Sequence, residues 1–353
     1  MNEVKHPESS PDWWIYCGTG QPSGKGSLTG LLPPAPPWRE FRGVPLPHED
    51  VVPPDEGEAD RRLGSEHRLT VRHVDPHEVD MVNAALYLRR PLLVTGRPGC
   101  GKSSLAYRVA RELGLGRVLR WPITSHTTLK AGLYHYDAIG RAQAASAQSG
   151  AAPGGDREPP IGDYLRLGEL GTVFLPRSLP RVLLIDELDK SEADLPNDLL
   201  SLFEDGEFAI PELVRMRSRT REVEVFTADP DTTATVEDGR VRCKAFPFVV
   251  ITSNGDRDFP PAFLRRCLRL EIQDPDIEQL AAMVAAHALD PADAHRSHII
   301  EDFVSRSNAF GGLPVDKLLE AVYLATSGAY REEGDSWERL LNALWRQLNS
   351  VVP

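Results

Sequence analysis

Apolar residues in this chain fall into two patterns that change over at about residue 275. Between 69 and 274, strands are predicted at 91–95, 117–121, 181–186, 247–252 and 268–272, separated by helical patterns or long crossovers. That alternation predicts a parallel sheet with helices on both faces, and the run Val182-Leu183-Leu184-Ile185 has the form of a strand covered on both faces. From Pro275 onward the spacing becomes helical, with Ile277, Leu280, Ala281 and Val284 and then Leu318, Leu319, Val322 and Leu324 three or four positions apart. Residues 1–68 show neither period. They carry Pro33-Pro34-Ala35-Pro36-Pro37 and Pro53-Pro54 among glycines and acidic residues, a composition that predicts an extended, largely disordered arm. Trp13, Trp14, Ile15, Tyr16, Trp38 and Phe41 make it aromatic-rich for such an arm, so these side chains either dock on the body or anchor a partner. Docking is favoured, because exposed tryptophan pairs are costly. Ala138 to Pro160, rich in Ala, Gln, Ser, Gly and Pro, reads as a mobile surface insertion.

The first predicted strand runs straight into Gly96-Arg97-Pro98-Gly99-Cys100-Gly101-Lys102-Ser103, and a helical pattern starts at Ser104. This is a phosphate-binding loop in its required setting. The glycines let the backbone curl so that its N–H groups point inward, and the helix N-terminus adds partial positive charge. Gly96 through Ser104 are therefore the candidate phosphate-binding residues, with Lys102 reaching the β- and γ-phosphates and Ser103 ligating magnesium. The third strand ends in Asp186-Glu187. Asp186 is placed to hold the magnesium ion with Ser103, and Glu187, one residue on, to orient or deprotonate an attacking water. A solvated acidic turn containing Asp189 is the bland alternative, and it loses weight once a phosphate loop lies upstream. Gly18-Thr19-Gly20-Gln21-Pro22-Ser23-Gly24-Lys25-Gly26-Ser27 imitates a second loop, but Gly26 follows its lysine where Ser or Thr is needed, and no strand precedes it. It reads as a flexible loop.

These elements together predict an α/β fold: a five-stranded parallel P-loop NTPase sheet flanked by helices, with a small C-terminal all-helical lid. The expected divisions are an arm at 1–68, a nucleotide-binding domain at 69–274 and a helical lid at 275–353. The 353 residues, 41% hydrophobic, suffice for that plan. A net charge of −12 argues against a protein whose main business is gripping a phosphate backbone, and residues 275–353 hold 6 Lys/Arg against 12 Asp/Glu. Cys17, Cys100, Cys243 and Cys267 lack metal-site spacing and suit a reducing cytoplasm; Cys100 is either a small space-filler in the loop or an oxidisable thiol. No apolar stretch has membrane-spanning length, so no membrane partner is expected. Arg215, Arg217, Arg219 and Arg221 alternate at period two; on a strand they share one face, which either grips an acidic or nucleic-acid partner or is a solvated hairpin face paired with Glu222 and Glu224.

By its segments 90–103, 183–190 and 250–267, in this order and spacing, the chain resembles the AAA+ superfamily, and within it the MoxR-like branch, over about 75–345. The resemblance implies ATP as the nucleotide, since the residues themselves do not distinguish ATP from GTP. It also implies that Asn254, at the end of the fourth strand, is a polar sensor that holds the attacking water or touches the γ-phosphate, although Asn254-Gly255 is also a turn signal. Arg265-Arg266 falls where the family carries an arginine finger, with Arg266 favoured. A finger acting on a neighbouring subunit implies a closed ring, usually a hexamer. Lys317 stands where many relatives have a second sensor arginine, a departure, because lysine cannot reproduce a bidentate fork. The implied function is ATP hydrolysis in a ring that remodels or matures a partner protein, possibly one with a von Willebrand factor A domain, in a form associated with bacterial conflict and defence. The alternatives are a nucleic-acid-dependent motor or loader and a nucleotide-gated scaffold in a defence complex.

Overall fold

A computed structural model gives the fold, describing residues 11–22, 28–46, 48, 50–51, 53–64, 75–149, 159–287, 294–310, 315–326 and 335–345. Eleven strands occur among them: β1 (Leu92–Thr95), β2 (Leu119–Pro122), β3 (Tyr134–Tyr136), β4 (Leu165–Leu167), β5 (Val182–Asp186), β6 (Glu207–Ala209), β7 (Glu222–Phe226), β8 (Thr233–Glu237), β9 (Arg240–Arg242), β10 (Phe248–Ser253) and β11 (Leu268–Glu271). Five of them form the predicted parallel sheet, in the order β11-β1-β10-β5-β2.

Side-chain alternation divides this sheet between two cores. Leu92, Val94, Val182, Leu184, Phe248 and Val250 pack on one face with the helices Pro76–Leu88 and Ser104–Leu113. Leu93, Leu183, Ile185, Val249 and Ile251 pack on the other. Every residue of β5 and β10 is consequently buried, which is why those strands read as unbroken apolar runs. The second core is closed by a six-stranded sheet, β3-β4-β7-β8-β9-β6, that no apolar run predicted. Its strands are three to five residues long and buried on one face, as in the pattern of β7, so each alone is too short for a clear period-two signal.

Two local expectations change. Within the Ala138 to Pro160 stretch, read above as a mobile surface insertion, Ala138–Ser149 is a helix, started by the Asp137 carboxylate accepting from Gly140 N at 2.8 Å, and residues 150–158 lie outside the described residues. Alanine and glutamine are strong helix formers, and this outweighs the low-complexity reading. The four arginines do not share a strand face. Arg215 ends the helix Pro211–Met216, Arg217 and Arg219 lie in the turn after it, and Arg221 precedes β7. Arg221 pairs with Glu237 at 2.9 Å and Asp238 at 3.5 Å rather than with Glu222 or Glu224.

The described stretches of the proline-rich segment are held on the body, the alternative favoured above for its aromatic residues. Ile15, Tyr16 and Leu28 belong to the first core, and Phe41 stacks on Phe246 in the second with ring centroids 5.6 Å apart. Arg39 crosses the Phe246 ring at 4.8 Å and donates to Phe203 O at 2.8 Å. Burying an Ile or Phe side chain is worth about 1.5–3 kcal/mol, enough to hold an arm that has no regular structure of its own. Trp38 remains 78% exposed.

A third cluster, including Leu280, Val284, Phe303, Leu318, Val322, Leu341 and Trp345, joins four C-terminal helices, Ile277–His287, Ala294–Phe310, Val315–Thr326 and Asp335–Leu344. No helix among the described residues is long and apolar enough to cross a membrane.

One buried ion network ties the strand starts to the second sheet. Asp229 accepts from Arg181 at 2.8 and 2.9 Å and from Arg117 at 3.2 Å, with Asp229 and Arg181 almost wholly buried. Burial pushes the Asp229 carboxyl up, but Arg181 and Arg117 more than offset this and hold it below 3.8. Asp229→Ala leaves Arg181 buried without its counter-ion, so we expect a loss of about 3–5 kcal/mol, read by urea unfolding at neutral pH. Because the folded-state pKa is depressed, the contribution is present above the ordinary aspartate value and disappears as the pH falls through the folded one. The gap between variant and parent should therefore close in acid; a gap independent of pH would assign the loss to packing alone.

Candidate functional site

The site lies at the C-terminal edge of the parallel sheet, where β1 hands the chain to the phosphate loop. Gly96, Gly99 and Gly101 have φ of 148°, 80° and 93°, in the region that favours glycine. At Gly96 space also decides: a Cβ would meet Ile272 O at 2.5 Å and Cys100 Sγ at 2.9 Å. The helix Ser104–Leu113 begins at once, so its unpaired N–H groups close the loop. Lys102 curls back, its Nζ donating to Gly96 O at 2.8 Å and Arg97 O at 2.7 Å, and burial lowers its pKa from 10.5.

Asp186 is the hub. Its Oδ1 accepts from Ser103 Oγ at 2.7 Å and from Thr252 Oγ1 at 2.8 Å, and its Oδ2 accepts from Arg120 Nη2 at 2.7 Å and Nε at 3.0 Å. Burial raises the Asp186 pKa, but these hydrogen bonds outweigh it and hold the carboxyl below 3.8, so it is ionised at neutral pH. Glu187 follows in the left-handed region at φ 63°, which swings its side chain away from that of Asp186. Its amide donates to Thr252 Oγ1 at 2.8 Å. Its carboxylate accepts from Lys190 Nζ at 2.6 Å and from Asn254 Nδ2 at 3.4 Å.

Asn254 is itself braced. Asp189, 3% exposed, accepts from the amides of Asn254 at 2.9 Å and Asp256 at 3.1 Å, which makes it a support of the turn at Asn254 rather than a solvated acid. Arg120, Thr252 and Asp189 were missed as site residues. The only signal for Arg120 was a charge within the second predicted strand, which Arg117 shares, and Thr252 and Asp189 gave none beyond their closeness to Asn254 and Asp186.

These groups share a cavity of about 450 Å³. Pro98, Gly99, Gly101, Lys102, Ser103, Ser104, Asp186, Glu187 and Asn254 line it, with Arg120 and Thr252. Gly96, Arg97 and Cys100, although part of the loop, do not line the cavity. Arg97 pairs with Asp274 at 3.1 Å, and Cys100 is buried with its thiol pKa raised by burial, which suits a space-filler and not a reactive thiolate.

Lys317 is not brought to the cavity. On the helix Val315–Thr326 the residues facing it are Val315, Asp316 and Leu319, while Lys317, turned about 100° from Asp316, pairs with Glu320 at 2.9 Å. Arg265 and Arg266 also stand apart. Both are exposed at the end of the helix Pro261–Arg266, and Arg266 Nε donates to Glu204 Oε1 at 2.8 Å.

A phosphate loop after the first strand of a five-stranded parallel sheet, with an acidic pair at the end of another strand of that sheet, defines a P-loop NTPase fold. The chain belongs to the family described as AAA domain (dynein-related subfamily), which matches residues 91–267. Among solved structures it is similar to NtrX from Brucella abortus in complex with ADP, at 12% identity and a TM-score of 0.37 over 80% of this chain. The chain spans 58% of that structure's length. No curated protein matches it.

Proposed function

We propose that this AAA+ ATPase binds ATP with magnesium, hydrolyses it in a site completed by a neighbouring subunit, and uses the cycle to remodel a partner protein. The observation that carries the reading is a division of residues: Lys102, Ser103, Asp186, Glu187 and Asn254 surround one cavity, while Arg265 and Arg266 lie outside it and exposed.

The loop N–H groups and the Lys102 ammonium neutralise the phosphates. Ser103 and Asp186 fit a magnesium ion, since both are hard oxygen donors 2.7 Å apart and Asp186 is held ionised. No cluster of three or more His, Cys, Asp or Glu suited to a metal occurs among the described residues, and magnesium needs none, because it takes one or two protein oxygens plus phosphates. When bound there, the ion supplies charge neutralisation at the phosphates. Glu187, held by Asn254 and Lys190, orients the attacking water and accepts its proton. Arg266 of one subunit enters the next subunit's site, which calls for a ring of hexameric kind.

The resemblance to the MoxR-like branch, associated there with conflict and defence, supports a protein client, with von Willebrand factor A domains as the first class to try. A nucleic-acid-dependent motor keeps one supporting observation, the exposed Arg215, Arg217 and Arg219 around the turn after Met216.

The test is ATP turnover per subunit against protein concentration, with assembly followed by light scattering and Lys102→Ala as the variant that fails to bind. Turnover should climb with assembly and be absent in the variant. Concentration-independent turnover by a monomer would remove the shared site. Stimulation by DNA or RNA that falls steeply with salt would favour the motor instead.

A further inference from the structure

The end of the cavity away from the phosphate loop is walled by the N-terminal segment. Thr19 and Gly20 line it together with Arg62, Leu63, Arg108 and Arg111. On the helix that starts at Ser104, Arg108 and Arg111 stand about 7 and 12 Å beyond Ser103 at 1.5 Å per residue, so this is where a nucleoside extends once its phosphates occupy the loop.

The segment is pinned there by two buried polar residues. Asn83, fully buried, accepts from Ile15 N at 2.8 Å and Tyr16 N at 3.0 Å and donates to Tyr16 O at 2.7 Å. Glu112, 2% exposed, accepts from Thr19 Oγ1 at 3.0 Å, from Gly20 N at 2.9 Å and from Cys17 N. Glu112 sits on the helix whose first turn closes the phosphate loop. Tyr16 donates to Glu78 at 3.1 Å, and Glu78 accepts from Arg108 at 2.7 Å, a second tie to the same helix. The turn itself needs Gly18 and Gly20, at φ 75° and 67°.

Arg108 and Arg111, more than nine-tenths buried, form the helix side of this wall, and Gly20 lies against Arg108, where an added Cβ would meet its side chain at 3.9 Å.

We propose that residues 13–20 form a strap that is part of the nucleotide site: Thr19 and Gly20 wall the nucleoside, and nucleotide binding and strap seating stabilise each other. This rests on the nucleotide reading above and adds to it a sensing role for the arm. By linkage, a ligand that touches the seated strap must favour the seated state, and loosening the strap must cost affinity for that ligand by the same factor. Inorganic tripolyphosphate, which lacks the nucleoside, reaches only the loop.

The experiment follows amide hydrogen exchange at residues 13–20 of the full chain with ATP or with tripolyphosphate at saturation. It then compares the affinities of Glu112→Ala for the two ligands. ATP should slow exchange at Cys17 and Gly20 at least tenfold, and tripolyphosphate should not. Glu112→Ala should weaken ATP at least tenfold while holding tripolyphosphate within twofold. Equal protection by both ligands, no protection by ATP that binds, or equal loss of both affinities in the variant would overturn the strap. Failure of the parent chain to bind either ligand would overturn the nucleotide site itself, and the strap with it.

Discussion

Arg266→Ala should lower ATP turnover by about 10³- to 10⁵-fold while nucleotide binding persists, the range associated with arginine fingers. The argument is one of position. Arg266 does not line its own subunit's cavity, so its removal leaves Lys102, Ser103 and Asp186 untouched and affinity intact. Its ion pair with Glu204 is about half exposed on both sides, and such pairs contribute at most about 1 kcal/mol, too little to unfold the chain. Glu204→Gln separates the two effects, since it breaks the pair but keeps the guanidinium. Turnover near that of the parent in Glu204→Gln, with collapse in Arg266→Ala, assigns the loss to the finger. Steady-state turnover with ATP binding measured alongside checks it, and retained activity in Arg266→Ala would return the role to Arg265 or abolish it.

Glu187→Gln should cut turnover by about 10²- to 10⁴-fold, the usual contribution of a general base, with ATP affinity unchanged. The amide keeps an oxygen for Asn254, and the lost Lys190 contact is a half-exposed pair of small stability value. Asp186, the proposed magnesium ligand, is a separate carboxylate held by Ser103, Thr252 and Arg120, so the substitution should not disturb it. Normal turnover in Glu187→Gln would take Glu187 out of the chemistry. The two variants also test each other. In a mixed ring, a Glu187→Gln subunit offers an intact finger to a neighbour whose own site lacks only that, so mixing Arg266→Ala with Glu187→Gln should restore part of the activity. No restoration would argue that finger and base act within one subunit.

What could be read without the structure was whatever local covalent order dictates. The loop from Gly96 to Ser103 is contiguous, its glycines satisfy a backbone requirement that no other residue type meets, and the strand and helix beside it announce themselves by period. The central strands β5 and β10 were legible because burial on both faces leaves unbroken apolar runs, whereas the edge strands β2 and β11 alternate buried or half-buried with exposed residues. Asp186 and Glu187 were legible because they end such a run.

The tertiary structure alone decided what meets across large sequence separations. Arg120 and Thr252 reach Asp186 from neighbouring strands, each 66 residues away in the chain, because parallel register brings the strand ends together. Glu112 receives a strap more than 90 residues upstream, and Asp189 braces a turn 65 residues downstream. Periodicity also cannot choose between faces: Lys317 sits one helical step from Asp316 yet turns away from the cavity. The arginines at period two belong to a helix end and a turn, because the proline at 211 and the packing of Leu213 start a helix before any strand can form. Short-range chemistry determined the phosphate loop. Only the folding of distant segments onto one sheet edge determined which side chains stand around it.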